Sequence, residues 1–216
     1  MFKENTKIGI LVGLNREKKI IPKHKNIIVE SGYSLKAFSA TKKLIKQNVD
    51  LIVNFGFAGA LKNNLKNCDI LIPKDICNEN FRFKKNSNFL SGYFKKKIDE
   101  KVKTYSLLTS KKVLKKVPKD KNVSAVDMEA YYAQKAALEG KVPFISIKVI
   151  FDDIDNPIPE FIIKSLNSDG NIIYFRLFLE LLARPSDFSK LIKINKLYSK
   201  SIIKLEKVAK KFFLEN

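Results

Sequence analysis

The chain has 216 residues, 45% of them hydrophobic, which is enough to bury a full core and predicts one compact domain rather than two. Its formal charge of +20 invites a nucleic-acid reading, but only Arg16, Arg82, Arg176 and Arg184 carry a guanidinium, the group that reads bases and phosphates bidentately. Lysine excess alone supplies non-specific attraction, so no specific nucleic-acid partner is expected, and a non-catalytic basic nucleic-acid-binding protein stands as an alternative.

No run reaches the roughly 20 apolar residues of a membrane span. The opening Met1 to Asn5 leads toward a strand rather than a signal peptide, which predicts a cytoplasmic protein. Cys68 and Cys77 form no Cys-x-x-Cys pair, so neither a disulfide framework nor a zinc site is expected. The single histidine, His24, lies among lysines and reads as a solvated turn residue, which excludes a histidine-based triad.

In chain order, Lys7 to Val12 is a short apolar run that reads as a strand, and Gly13 to Glu17 a strand-to-helix turn. Asn26 to Val29 predicts a second strand. Ser34 to Gln47 has helical spacing, with Ser34 as its N-cap. Leu51 to Phe55 predicts a buried strand that runs into a small-residue turn, Gly56 to Ala60, where backbone can approach a ligand. Cys68 to Pro73 follows as another strand. From about 78 to 103 aromatics and lysines interleave without a helical or strand period, which predicts an irregular lid or hairpin.

Farther on, Glu129 opens a helical run and Asp152 ends the apolar run from Val142, a buried strand. Over about 187–213, Leu191, Ile194, Tyr198, Ile202, Leu205, Ala209 and Phe212 form one stripe of a basic amphipathic helix, with Lys193 to Lys211 opposite. That helix reads as packed on the sheet with a solvated lysine face, or as a peripheral contact with a membrane surface. The alternation of strands and helices predicts a single α/β domain with a mixed, mostly parallel central sheet flanked by helices.

Three carboxylates fall at element ends: Glu17, Glu129 and Asp152. If the strands are parallel neighbours, all three converge on one sheet edge, where ligands of open α/β sheets bind. Asp152, Asp153 and Asp155 lack the spacing and glycine of a calcium loop, so no metal is expected, and no cofactor either.

Gly13-x-x-x-Glu17, Asn54-Phe-Gly-Phe-Ala-Gly59, Val126-Asp-Met-Glu129 and the strand ending at Asp152 resemble, in order and spacing, the purine nucleoside phosphorylase and nucleosidase family. The general match is to the methylthioadenosine/S-adenosylhomocysteine nucleosidase type. The tail from Pro157 through Arg184-Pro185 is similar to the hopanoid-associated phosphorylase subgroup, whose members are implicated in cleaving adenosylhopane. The resemblance implies cleavage of the N-ribosidic bond of a small-molecule, adenosine-type nucleoside carrying a 5′ substituent, with Asp152 protonating purine N7. It gives Glu129 the ribose hydroxyls, Met128 the underside of the sugar and Glu17 the attacking water, within a pocket that includes Gly13, Phe57, Ala58, Gly59, Asp127 and Phe151. It also implies a homodimer.

Phosphorylases of this fold place arginines where phosphate sits, while the matching positions here offer Glu17 and Asn54-Phe55. Hydrolysis is therefore expected over phosphorolysis, because a carboxylate repels a phosphate dianion. Phe57, Phe151 and Lys148 depart from the residues usual at their positions and are expected to enlarge an apolar wall. The segment Thr109 to Val113 lacks the aromatic that stacks the purine in such nucleosidases.

Overall fold

A computed structural model describes residues 5–98, 100–114, 122–167 and 171–213. The first four residues, Met1 to Glu4, on which the signal-peptide reading rests in part, lie outside this set. In chain order the elements are β1 (Ile8–Val12), a 3-10 turn (Asn15–Ile20), β2 (Ile27–Ser31), α1 (Lys36–Lys46), β3 (Leu51–Ala60), β4 (Ile70–Leu71), β5 (Asp75–Cys77) and β6 (Phe83–Lys85). There follow α2 (Asn88–Ile98), β7 (Val102–Lys103), β8 (Leu107–Thr109), β9 (Ala125–Asp127), α3 (Ala130–Glu139), β10 (Phe144–Ile150), α4 (Glu160–Lys164), α5 (Tyr174–Ala183) and α6 (Phe188–Phe213).

The long strand β3 organises the sheet. Its first part lies between β1 and β10, parallel to both, with Ile10 opposite Val53 and Ser146 opposite Asn54. Its last residues, Gly59 and Ala60, pair antiparallel with β9, which continues the sheet through β8, β5 and β6. On the other side β10 pairs antiparallel with β4. The sheet is mixed and mostly parallel, as the alternation predicts.

Strands buried on both faces explain the continuous apolar runs. Ile10, Val53, Phe55, Ile147 and Val149 point into one core, shared with Phe94 of α2 and Leu205, Val208 and Phe212 of α6. Leu11, Ile52, Phe144 and Ile150 point into the other, with Ala37 and Leu44 of α1 and Ala130, Ala133 and Ala137 of α3. The alanine-rich face of α3 permits a close approach, and at its end a Cβ on Gly140 would come within 2.8 Å of Ile45 Cδ1.

Three sequence expectations are corrected. Ser34 does not cap α1; it adopts φ 53°, and the helix begins at Lys36 with no side-chain cap. Gly56 to Ala60 is not a turn but the end of β3, with Gly56 at φ +153° and hydrogen bonds from Phe151 N–H to Ala58 O and from Ala60 N–H to Asp152 O holding the strand against β10. The 78–103 segment, expected to be an irregular lid or hairpin, is regular: β6 closes a hairpin with β5, and α2 and β7 follow. Leu90, Phe94 and Ile98, one helical turn apart, are buried, and the Phe94 ring stacks on Phe212 with centroids 4.0 Å apart.

The lysine face of α6 is also only partly solvated. Lys204 and Lys207 pair with Glu100, and Lys211 donates to Ile98 O, so the C-terminal half of the helix is fastened to the α2 region.

Candidate active site

One cavity of about 590 Å³ opens at the ends of β1, β3, β9 and β10. Gly13, Glu17, Phe57, Ala58, Gly59, Asp127, Met128, Glu129, Phe151 and Asp152, all singled out from the sequence, line it. Glu17 and Asp152 arrive from parallel neighbours of β3. Glu129 reaches the same cavity by a different route, after β9, which runs antiparallel to the end of β3.

Each carboxylate faces a glycine. A Cβ on Gly13 would lie 3.0 Å from Glu129 Oε1, one on Gly59 would lie 2.8 Å from Asp152 Oδ1, and one on Gly56 would lie 3.5 Å from both Glu17 oxygens. The small residues of the sequence motifs therefore make room for acids rather than for a turn.

Glu17 is buried inside the 3-10 turn, where its Oε2 accepts the Leu14 N–H at 2.9 Å. Burial pushes its pKa up, against that hydrogen bond and the pull of Lys148. Burial likewise raises Glu129 to about 8, with Asp127 and Glu17 adding to the rise and Lys148 opposing it. Asp152 keeps part of its surface open, yet burial raises it to about 6, with Asp153 contributing. Asp153 itself does not line the cavity. Its burial is outweighed by hydrogen bonds from Asn67 and Asn156, which hold it below the ordinary carboxylate range.

Lys148 overturns one expectation. It enlarges no apolar wall: its side chain is 1% exposed and its ammonium lies 2.8 Å from Asp127 Oδ2 and 3.8 Å from Glu129 Oε2. Burial works against its charge, and the two carboxylates outweigh that, so its pKa is raised. Asp127 is the hub of this arrangement. It also accepts the Thr109 hydroxyl at 2.6 Å and the Ala130 N–H at 3.0 Å, so it fixes the start of α3 and with it Glu129.

Much of the remaining lining is apolar. Phe57, Phe151 and Tyr198 meet pairwise with ring centroids 5.7–6.0 Å apart. Beyond them Ile158, Ile162, Leu166, Ile172, Tyr174 and Leu177, from the α4–α5 segment, complete the wall. Sequence reasoning missed this segment's contribution, although its run of isoleucine and leucine between Asp155 and α6 was the available signal. It also missed Arg16, whose guanidinium lies 5.2 Å over the Tyr198 ring at the cavity edge, one residue from Glu17. His24 lies in an exposed turn before β2, where its Nδ1 accepts the Asn26 N–H.

The family model described as the phosphorylase superfamily matches residues 4–105. That match covers a little under half of the chain. Solved structures agree in fold. Futalosine hydrolase of Helicobacter pylori superposes with a TM-score of 0.67 at 17% identity, over 96% of this chain and 97% of that one. The 5′-methylthioadenosine/S-adenosylhomocysteine nucleosidase of Neisseria meningitidis, in complex with methylthio-immucillin-A, gives 0.66 at 12% identity over 95% and 97%. The corresponding nucleosidase of Helicobacter pylori gives 0.64 at 16% over 97% of each chain. No curated protein matches the sequence. At these identities the superpositions establish the fold alone, a single α/β domain with a mixed central sheet.

Proposed function

We propose that this chain is a member of the phosphorylase superfamily and cleaves the N-ribosidic bond of an adenosine-type nucleoside with an apolar 5′ substituent, using water. The observation that carries the reading is a single cavity lined both by three buried or half-buried acids and by aromatic and aliphatic side chains. Breaking the bond builds positive charge on the ribose and negative charge on the departing purine. It therefore calls for a proton donor at the base and carboxylates near the sugar.

Asp152, raised toward neutrality, is suited to hold a proton and deliver it to purine N7. Glu129, oriented by Asp127 and Lys148, accepts hydrogen bonds from the ribose hydroxyls, above Met128. Glu17, a stronger base than an ordinary carboxylate because it is buried, positions and deprotonates water. Phe57, Phe151 and Tyr198 then belong to the side that receives the 5′ group, and methylthioadenosine or an adenosyl lipid such as adenosylhopane both have the required apolar arm. The proposal is supported by the nucleoside analogue bound to the Neisseria relative.

Phosphorolysis is the second reading, favoured by Arg16 and Lys112 at the cavity wall. Incubation with a panel of 5′-substituted adenosines, with and without phosphate, separates the two. Free adenine and free ribosyl product without phosphate are expected. Adenine release that requires phosphate and yields a ribose 1-phosphate would transfer the reading to phosphorolysis.

A further inference from the structure

Helix α5 has no buried residue. Tyr174, Phe175, Phe178 and Leu182 are 79%, 70%, 57% and 60% exposed, and the adjoining start of α6 exposes Phe188 and Ile192. Tyr174 also lines the active-site cavity, so the cavity reaches the surface beside this helix. Leu177 faces the cavity from the same helix, whereas Phe175, Phe178 and Leu182 do not line it.

The charge around the patch is one-sided. Residues 174–200 carry six basic side chains and two acidic ones, and one of the acids, Asp187, is already paired with Lys190 at 2.7 Å. Arg176, Arg184 and Lys193 are exposed.

We propose that α5 and the start of α6 form a docking surface for an anionic lipid bilayer. Phenylalanine and leucine bordered by arginine and lysine are the composition of helices that lie in a bilayer interface, where the rings enter the acyl boundary and the cations meet lipid phosphates. A second copy of the chain fits the patch less well, because self-pairing would bring two basic surfaces together on molecules of charge +20 each. The far end of α6, which the lysine pattern alone also offers to a membrane, is engaged instead with Glu100 and Ile98. In purpose the inference rests on the apolar 5′ arm proposed above: a nucleoside with a lipid arm would pass from the bilayer past Tyr174 into the cavity.

Flotation of the full-length chain with phosphatidylcholine vesicles, with and without phosphatidylglycerol, at low and moderate salt, tests it. Co-flotation only with the anionic vesicles, weakening as salt rises, is expected. The variant Phe175→Ser/Phe178→Ser/Leu182→Ser should lower the partition coefficient by at least about tenfold, since each apolar side chain withdrawn from the interface weakens binding. Its melting temperature and its turnover of soluble methylthioadenosine should match the parent chain. No flotation, or equal flotation of the variant, would overturn the proposal. So would a solution dimer that the variant converts to monomer, because a second copy would then cover the patch. Absence of nucleoside cleavage with flotation intact would instead remove the proposed reaction and leave the docking surface standing.

Discussion

Gly59 and Asp152 occupy neighbouring strand ends so closely that a single methyl group on Gly59 would meet Asp152 Oδ1 at 2.8 Å, a separation that non-bonded carbon and oxygen do not tolerate. The strand cannot yield, because Ala60 N–H binds Asp152 O and Phe151 N–H binds Ala58 O on either side. Gly59→Ala should therefore displace the Asp152 carboxyl and lower kcat about tenfold or more while the chain still folds, since small misplacements of a reacting group cost large factors. Steady-state kinetics alongside circular dichroism checks this. Unchanged kcat would show that the position of Asp152 does not matter to the reaction.

Asp152→Asn keeps the shape and removes the proton. The rate should fall by about 10² to 10⁴, the usual contribution of a positioned acid. In the parent enzyme kcat/KM should decline as pH rises through about 6, where Asp152 loses its proton.

The same shift acts on stability with a definite sign. The folded chain holds the Asp152 proton up to about 6 while the unfolded chain releases it near 3.8, so between those values the folded state binds more protons and stability falls as pH rises. Urea titrations across this range should show a shallower decline for Asp152→Asn than for the parent. A parent whose stability rises through the window for want of this contribution would show no difference between the two.

Lys148→Met removes the cation from between Asp127 and Glu129 and strands a buried carboxylate. Loss of one partner of such a pair costs about 3–5 kcal/mol, measurable as a lower denaturation midpoint. Adding Asp127→Asn should restore part of it, because the remaining group is then neutral and its single amide oxygen can still accept the Ala130 N–H.

Phe94→Ala addresses the helix that the sequence pattern concealed. Removing a ring stacked on Phe212 in the core should cost about 3–5 kcal/mol. A loss near zero would mean that α2 is peripheral after all. Catalytic parameters of the folded variant should stay close to those of the parent, since Phe94 does not line the cavity.

What the sequence made legible follows from where physics writes a local signal. β1, β3 and β10 are buried on both faces, so their apolar runs are unbroken, and Glu17 and Asp152 stand out beyond the ends of β1 and β10, while Glu129 follows the short β9. The convergence of Glu17, Glu129 and Asp152 on one cavity could thus be anticipated from element ends. Helix α2 could not, because Leu90, Phe94 and Ile98 are diluted by lysines and by Gly92, and its partner Phe212 is more than a hundred residues away. Lys148 misled for a related reason. Within an apolar run it looks like an intrusion, and only the fold reveals Asp127 beside it.

The central place of β3 has a kinetic consequence. Its partners are β1, some forty residues before it, and β10, some ninety after it, as the pairings of Ile10 with Val53 and of Ser146 with Asn54 show. Contacts this distant in sequence form late and slowly. During synthesis Glu17 leaves the ribosome well before Asp152, and no fragment ending short of Phe144 can assemble the cavity that holds Glu17, Glu129 and Asp152. The cavity and the sheet are therefore completed in one event, so a ligand that touches both Glu17 and Asp152 would stabilise the pairing of β3 with β10 as it binds.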